Sequence, residues 1–435
     1  MKFMHLFGAG AVTLVVAGVL VSTRSEQAVS SGGSPAAASA AVNMRLGQVA
    51  PAARQDIDYQ GLDSRLRRLM EKPAMVGLAV GIVENGRITF LRGYGETYAG
   101  SGQPVTPQTV FRWASVSKGV AGTMVAKLAE EGKIDLGAPV ANYSATLKLP
   151  AGAEYRASVS DLLSHRLGLY RNAYDNKLEE GQDPRFLRQT LGQLNLICQP
   201  GSCWSYQNVA FDAASEIVAR QTKLSYADTL KQRLFGPLGM TSASSTMQGM
   251  VTAKSWARPH NAGKRVIDLT NAYYLVPAAG GVNSDIKDLS LWMLAHMGQM
   301  PDVVSPRVLQ TVHAPLVATP VERRRLRKFL ERLGDAWYGH GWRSYDYAGH
   351  RIVGHRGGVN GYRSLILFDP EKKSGVVALW NSSTNQPGGV EFEVMDMIYR
   401  LPFRDWMELD KGGPGAPQED PAADQGEAAT QPRLR

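Results

Sequence analysis

Cysteine is nearly absent from this chain. Cys198 and Cys203 are the only two among 435 residues, so no cysteine near the N-terminus can carry a lipid. They bracket the short loop "ICQPGSCW". An oxidising compartment would permit a disulfide there, and two small buried residues is the other reading; the Cα separation decides between them. No internal repeat is present. No nucleic-acid-binding motif accompanies the net charge of +9 and pI of about 9.4, and lysine and arginine are spread along the chain, which argues against a nucleic-acid partner. The densest basic run, "VERRRLRKFLERLGD", sets Leu326, Phe329, Leu330 and Leu333 at helical spacing. Its arginines are predicted to form the wet face of an amphipathic helix.

A long apolar run occurs at the start. Lys2 precedes about 16 apolar residues from Leu6 to Val21, which fits a secretory signal and borders on the roughly 17 to 25 that span a bilayer. No small-x-small cleavage site stands close behind it, so residues 1–22 read as either a removed signal peptide or an uncleaved anchor. The expected location is periplasmic or extracellular, with a membrane tether in the second case. Residues 23–55, rich in Ala, Ser and Gly, read as a flexible tether. Residues 411–435 combine Pro, Gly, Ala and acid with too few large apolar residues to fold, and read as a disordered tail.

Between these ends, at 44% hydrophobic content overall, there is enough apolar material for one large or two smaller domains. "LDSRLRRLMEK" has helical periodicity, and "VGLAVGIVENGRITFLRGYG" reads as two strands joined by an Asn-Gly turn. Helical and loop-rich segments follow to about residue 300. Strand-like runs return in "YGHGWRSYDYAG", "HRIVGHRGG" and "YRSLILFDPEKKSGVVALWNSS", and "VEFEVMDMIYRL" closes as a helix. Strands at both ends with helices between predict an α+β fold over residues 56–402: one antiparallel sheet built from both termini, flanked by helices, with a mostly helical subdomain.

The stretch "FRWASVSKGVAGTMVAKLAEEG" opens a helix with two serines and a lysine. One hydroxyl can cap the helix, which leaves the other serine and Lys118 to explain. A serine becomes a nucleophile only beside a base, and Lys118 lies three residues after Ser115, on the same helical face. A second Ser-x-x-Lys, Ser284 to Lys287, shows that the spacing alone is weak. Companions discriminate. "PGSCWSYQN" holds Tyr206, able to relay a proton, and Asn208, able to hold a substrate carbonyl or Lys118. "GHRGGVNGYRS" holds His355 and Gly357 at a predicted strand, where glycine lets substrate lie against an edge. The same spacings recur at Tyr170 with Asn172, Tyr174 with Asn176, and His296 with Gly298, without that context.

In this order, "SVSK" opening a helix, "YQN" after a Pro-Gly loop and "HRG" on a late strand resemble the serine β-lactamase and penicillin-binding-protein-like superfamily, in its class C β-lactamase, DD-peptidase and esterase branch. "LLSHRLGL" and "PAAGGVNSDIKDLSLW" are similar to the family as well, and the resemblance runs from about residue 60 to 400. It implies acyl transfer on a small-molecule or peptide substrate. Ser115 would attack, Lys118 and Tyr206 would manage the proton, Asn208, His355 and Gly357 would contact substrate, and the backbone N–H groups of Ser115 and Gly358 would hold the oxyanion. Neither a metal nor an organic cofactor is implied. Lysine usually stands where this chain has His355 in β-lactamases of the branch, which tilts the expectation towards an exported serine hydrolase of esters or peptide-like amides. A DD-carboxypeptidase or β-lactamase is the alternative, and a binding protein that kept the fold but lost turnover is a further one.

Overall fold

The computed structural model describes residues 56–410; the readings of residues 1–22, 23–55 and 411–435 fall outside the described residues. An eight-stranded antiparallel sheet organises the chain. Its strands are β1 (Gly77–Glu84), β2 (Arg87–Gly95), β5 (Val317–Ala318), β6 (Leu333–Tyr338), β7 (Arg343–Tyr347), β8 (His350–Val359), β9 (Tyr362–Asp369) and β10 (Ser374–Trp380), in the order β2-β1-β10-β9-β8-β7-β6-β5. Two short strands, β3 (Phe111–Arg112) and β4 (Asn283–Ser284), pair separately.

The β1–β2 hairpin turns at Asn85 and Gly86, which have φ of 51° and 74°. Two consecutive positive φ values are what the tight hairpin turn that matches strand twist requires, and Asn-Gly meets them at the least cost. The first strand joins the last: β1 pairs with β10 from Leu78↔Trp380 to Val83↔Gly375. The sheet of both termini is therefore present.

All eight residues of β1 are buried, and the period of two divides them between two cores. Leu78, Val80 and Ile82 join a core with Leu62, Leu66 and Leu69 of α1 (Tyr59–Met70), while Ala79 and Val83 join the larger core of the helical lobe. The lobe's central helix, α2 (Ser117–Glu130), is buried along nearly its whole length, which explains why its sequence lacks a polar stripe. On the far side, α3 (Val390–Ile398) packs beside α1 in the first core.

The basic run does not form the predicted helix. A six-residue helix, Pro320–Arg325, gives way to a 3₁₀ turn at Arg327–Phe329, and Leu333 begins β6. Leu326 and Phe329 are buried, but Leu330 is 38% exposed. Nor are all its arginines wet: Arg332, 8% exposed in its side chain, pairs with Asp396 at 2.5 Å. The apolar spacing satisfied a short helical turn and an incoming strand at once, and periodicity over so few residues does not separate the two.

Candidate active site

Ser115 sits in a 3₁₀ turn, Ala114–Val116, that runs directly into α2. Ala114 before it has a φ of 47°, a left-handed conformation that costs a non-glycine residue on the order of 1 kcal/mol or more. Neither serine caps the helix. The Ser117 hydroxyl accepts from the Val282 N–H at 3.0 Å and docks the loop before β4. The Ser115 hydroxyl lies close enough to the Tyr206 phenol to offset part of the burial that raises the phenol's pKa.

Lys118 is fully buried. Its Nζ donates to Asn208 Oδ1 at 2.6 Å and to the Ala279 carbonyl at 2.9 Å, and lies 4.6 Å from the centre of the Tyr206 ring. Among the described residues it makes no ion pair. Burial without a counter-anion in contact lowers the Lys118 ammonium from 10.5 to about 7. The same burial pushes the Tyr206 phenol up to about 12. Near neutral pH the site thus contains an amine able to take a proton and a phenol that keeps its own.

Of the two roles open to Asn208, the geometry fills the one with Lys118. The amide is 7% exposed, and its Nδ2 donates to Asp175 Oδ2 at 2.7 Å. That carboxylate fixes which end of the amide faces the lysine. Asp175, at the start of a short helix in the polar loop after "SHRLGL", carries no motif and no telling spacing of its own. Burial raises its pKa to about 6, so it is ionised at and above neutrality and favours the charged lysine. Removing the charge in Asp175→Asn is expected to move the acid limb of kcat/KM to lower pH by roughly one unit. A limb left in place in a pH–rate profile would uncouple Asp175 from Lys118.

Gly357 approaches the serine turn closely: a Cβ there would lie 2.3 Å from the Trp113 carbonyl and 3.0 Å from the Ser115 nitrogen. Only glycine fits. β7 pairs with β8 only from His350 to Gly354, so among the described residues no strand covers that edge of β8 from His355 to Val359. The Arg363 side chain lies 3.2 to 3.5 Å from where a Cβ on Gly358 would stand. Arg356 points to the other face and pairs with Glu391.

His355, expected to meet substrate, is instead turned into the protein. It is 2% exposed, Nδ1 lies 2.7 Å from the Arg356 carbonyl and Nε2 lies 3.0 Å from Tyr338 Oη. Burial, with Arg343 and Lys118 nearby, holds its pKa well below 6.5. The alternation of β8 puts residues 355 and 357 on the same, lobe-facing side, and Tyr338 fills the space in front of the ring.

The serine of the second Ser-x-x-Lys is structural. Ser284 Oγ is fully buried, accepts from Trp113 Nε1 at 2.9 Å and donates to the Asp285 carbonyl at 2.7 Å. Cys198 and Cys203 are bridged, with their Cα atoms 6.3 Å apart, and the bridge closes the loop that leads to Tyr206.

The sheet, the helical lobe and a serine turn facing a lysine, a phenol and a glycine edge define a β-lactamase and transpeptidase-like fold. The chain belongs to the Beta-lactamase family, whose profile matches residues 62–396. It is similar to an unguisins hydrolase of Aspergillus campestris, at 25% identity over 74% of this chain and 62% of that protein. It is also similar to a β-lactamase of Yersinia enterocolitica, at 24% identity over 76% of this chain and 88% of the relative. Among solved structures, the octameric penicillin-binding protein homologue from Pyrococcus abyssi superposes with a TM-score of 0.72 at 24% identity, over 81% of this chain and 80% of that one. The match spans less than two thirds of the length of the Aspergillus relative.

Proposed function

We propose that this protein is a serine hydrolase that works through an acyl-enzyme at Ser115. The observation that carries the reading is Lys118: a buried amine one helical turn from a serine, held by neutral acceptors and brought near neutrality in its pKa. As Ser115 Oγ bonds to the substrate carbonyl carbon, its proton passes through the Tyr206 hydroxyl towards Lys118. The carbonyl oxygen takes up the negative charge and is held by the N–H groups of Ser115 and Gly358. Collapse expels the leaving group, which takes the proton back, and water repeats the sequence to free the acid and Ser115.

An extended, peptide-like or ester acyl donor suits the uncovered edge of β8, where backbone groups can pair with substrate. The Cys198–Cys203 bridge supports an oxidising compartment, in keeping with export. Intact-mass labelling with a fluorophosphonate, followed by peptide mapping, tests the reading. One adduct on Ser115 is expected, and an unlabelled protein with folded spectra would overturn it.

Substrate choice follows from the neutral His355. With no cation on that side chain, a substrate carboxylate loses a charge-assisted hydrogen bond, which is worth ~1.5–3 kcal/mol. The kcat/KM for p-nitrophenyl butyrate is therefore expected to exceed that for nitrocefin by about 10-fold or more. Preference for nitrocefin would show that another cation, such as Arg363, takes the carboxylate.

A further inference from the structure

His355 belongs to a hydrogen-bonded chain that reaches the other side of the site. The Gln207 N–H lies 3.2 Å from His165 Nδ1, His165 Nε2 lies 3.2 Å from Tyr338 Oη, and Tyr338 Oη lies 3.0 Å from His355 Nε2. The last link is His355 Nδ1 to the Arg356 carbonyl at 2.7 Å. His165 and Tyr338 are fully buried, and Gln207 is 1% exposed.

Only one arrangement of protons satisfies these four contacts and also gives the Tyr338 O–H an acceptor. A backbone N–H can only donate, so His165 accepts at Nδ1 and carries its proton on Nε2. That proton goes to Tyr338, whose own O–H then points to His355 Nε2. A carbonyl can only accept, so His355 carries its proton on Nδ1. The two imidazoles are opposite tautomers, both neutral, with a phenol between them. Protonating His355 on Nε2 would set that N–H against the tyrosine O–H, and the phenol's other neighbour, His165 Nε2–H, is a donor too. The displaced O–H would have no acceptor in the chain, at a cost of ~1–3 kcal/mol for a buried donor.

The ends of the chain matter as much as its order. Gln207 follows Tyr206, and the His165 ring packs 4.3 Å from the Tyr206 ring between centroids. Arg356 precedes Gly357 and Gly358, the glycines beside the Ser115 turn. Tyr338 is the last residue of β6, a strand that supplies none of the motif residues.

We propose that Tyr338, through its directed bonds to His165 and His355, is a positioning residue that sets the separation between the Tyr206 hydroxyl and the oxyanion-holding end of β8. This role rests on the acyl-transfer reading; the proton order does not. In this site the third motif works as a neutral spacer on a buried tether. Tyr338→Phe keeps the ring and removes both bonds, so Tyr206 and Gly358 are free to drift by the few tenths of an ångström to which acyl transfer is sensitive.

The experiment is in two parts. Long-range ¹H–¹⁵N spectra of histidine-labelled wild-type protein at pH 7, assigned through single replacements of His165 and His355, are expected to show His165 protonated on Nε2 and His355 on Nδ1. Like tautomers, or an imidazolium at either ring, would overturn the chain. In parallel, ester turnover by Tyr338→Phe is expected to show kcat lowered 10- to 100-fold with KM changed less than threefold, and fluorophosphonate labelling of Ser115 slowed in step. Wild-type kcat in that variant would overturn the positioning role. If the variant does not fold, the wild-type spectra still decide the proton order, and His355→Leu, which leaves the Tyr338 hydroxyl without its acceptor, replaces it in the kinetic arm with the same expected split. Failure of Ser115 to label in wild-type protein, with the tautomers as expected, would count against acyl transfer and the role together while leaving the proton order standing.

Discussion

Ser115→Ala is expected to lower turnover by about 10⁴-fold or more and to abolish fluorophosphonate labelling, because no second hydroxyl occupies its place. Loss of a nucleophile removes the covalent step itself, and what remains is the rate that binding and oxyanion contacts give to water alone. Ser284→Ala is the matched comparison. Its hydroxyl bridges the Trp113 indole and the Asp285 carbonyl in the core, so its removal strands one buried donor and costs ~1–2 kcal/mol of stability. Labelling should persist at Ser115 in that variant. An adduct that mapped to Ser284 would reverse the assignment of the two serines.

Lys118→Met should abolish most turnover and still make the fold more stable near neutrality. The folded lysine titrates at about 7 and the unfolded one near 10.5, so between those values the unfolded chain binds more protons and stability rises with pH. At pH 7 the wild-type fold bears a penalty of roughly 4 kcal/mol for that buried amine. Methionine removes it and fills similar volume, while Asn208 Oδ1 and the Ala279 carbonyl lose a donor at a combined cost of roughly 2–4 kcal/mol. The net gain at pH 7 is therefore up to roughly 2 kcal/mol, an increase of a few degrees in Tm. Near pH 9.5 most of the wild-type penalty has gone, and the order of the two melting temperatures should close or invert. Calorimetry of both proteins at pH 7 and 9.5 checks this. An equal Tm difference at the two values would mean that the lysine is charged in the fold.

The parts of the fold that were legible in sequence are those with a local cause. Asn85-Gly86 announced its hairpin because few other pairs adopt that turn. Ser115 and Lys118 were legible because a nucleophile and its base must share one helical turn, and Tyr206 and Asn208 because they stand two apart on one loop. The residues that hold this machinery gave no such signal. Asp175 and Tyr338 come from a polar loop and from the end of a strand, and reach the site only when the lobe and the sheet are assembled. His355 was visible as a motif residue, but its direction was not, since that depends on what β6 places in front of it. The basic run misled for the opposite reason: a pattern was present, too short to distinguish a turn of helix from the approach to a strand.

The pairing of β1 with β10 has a consequence during synthesis. Gly77 donates to Asn381 Oδ1 at 2.8 Å across a separation of 304 residues. At about 5–20 residues per second, the β1–β2 hairpin must wait roughly 15–60 s after leaving the ribosome before its neighbour exists. Throughout that interval an apolar strand with one unpaired edge is exposed, and the helical lobe emerges without the sheet against which it packs. Nascent chains arrested before Ser374 should therefore be protease-sensitive and bound by holding chaperones, and release should require the last strand to emerge.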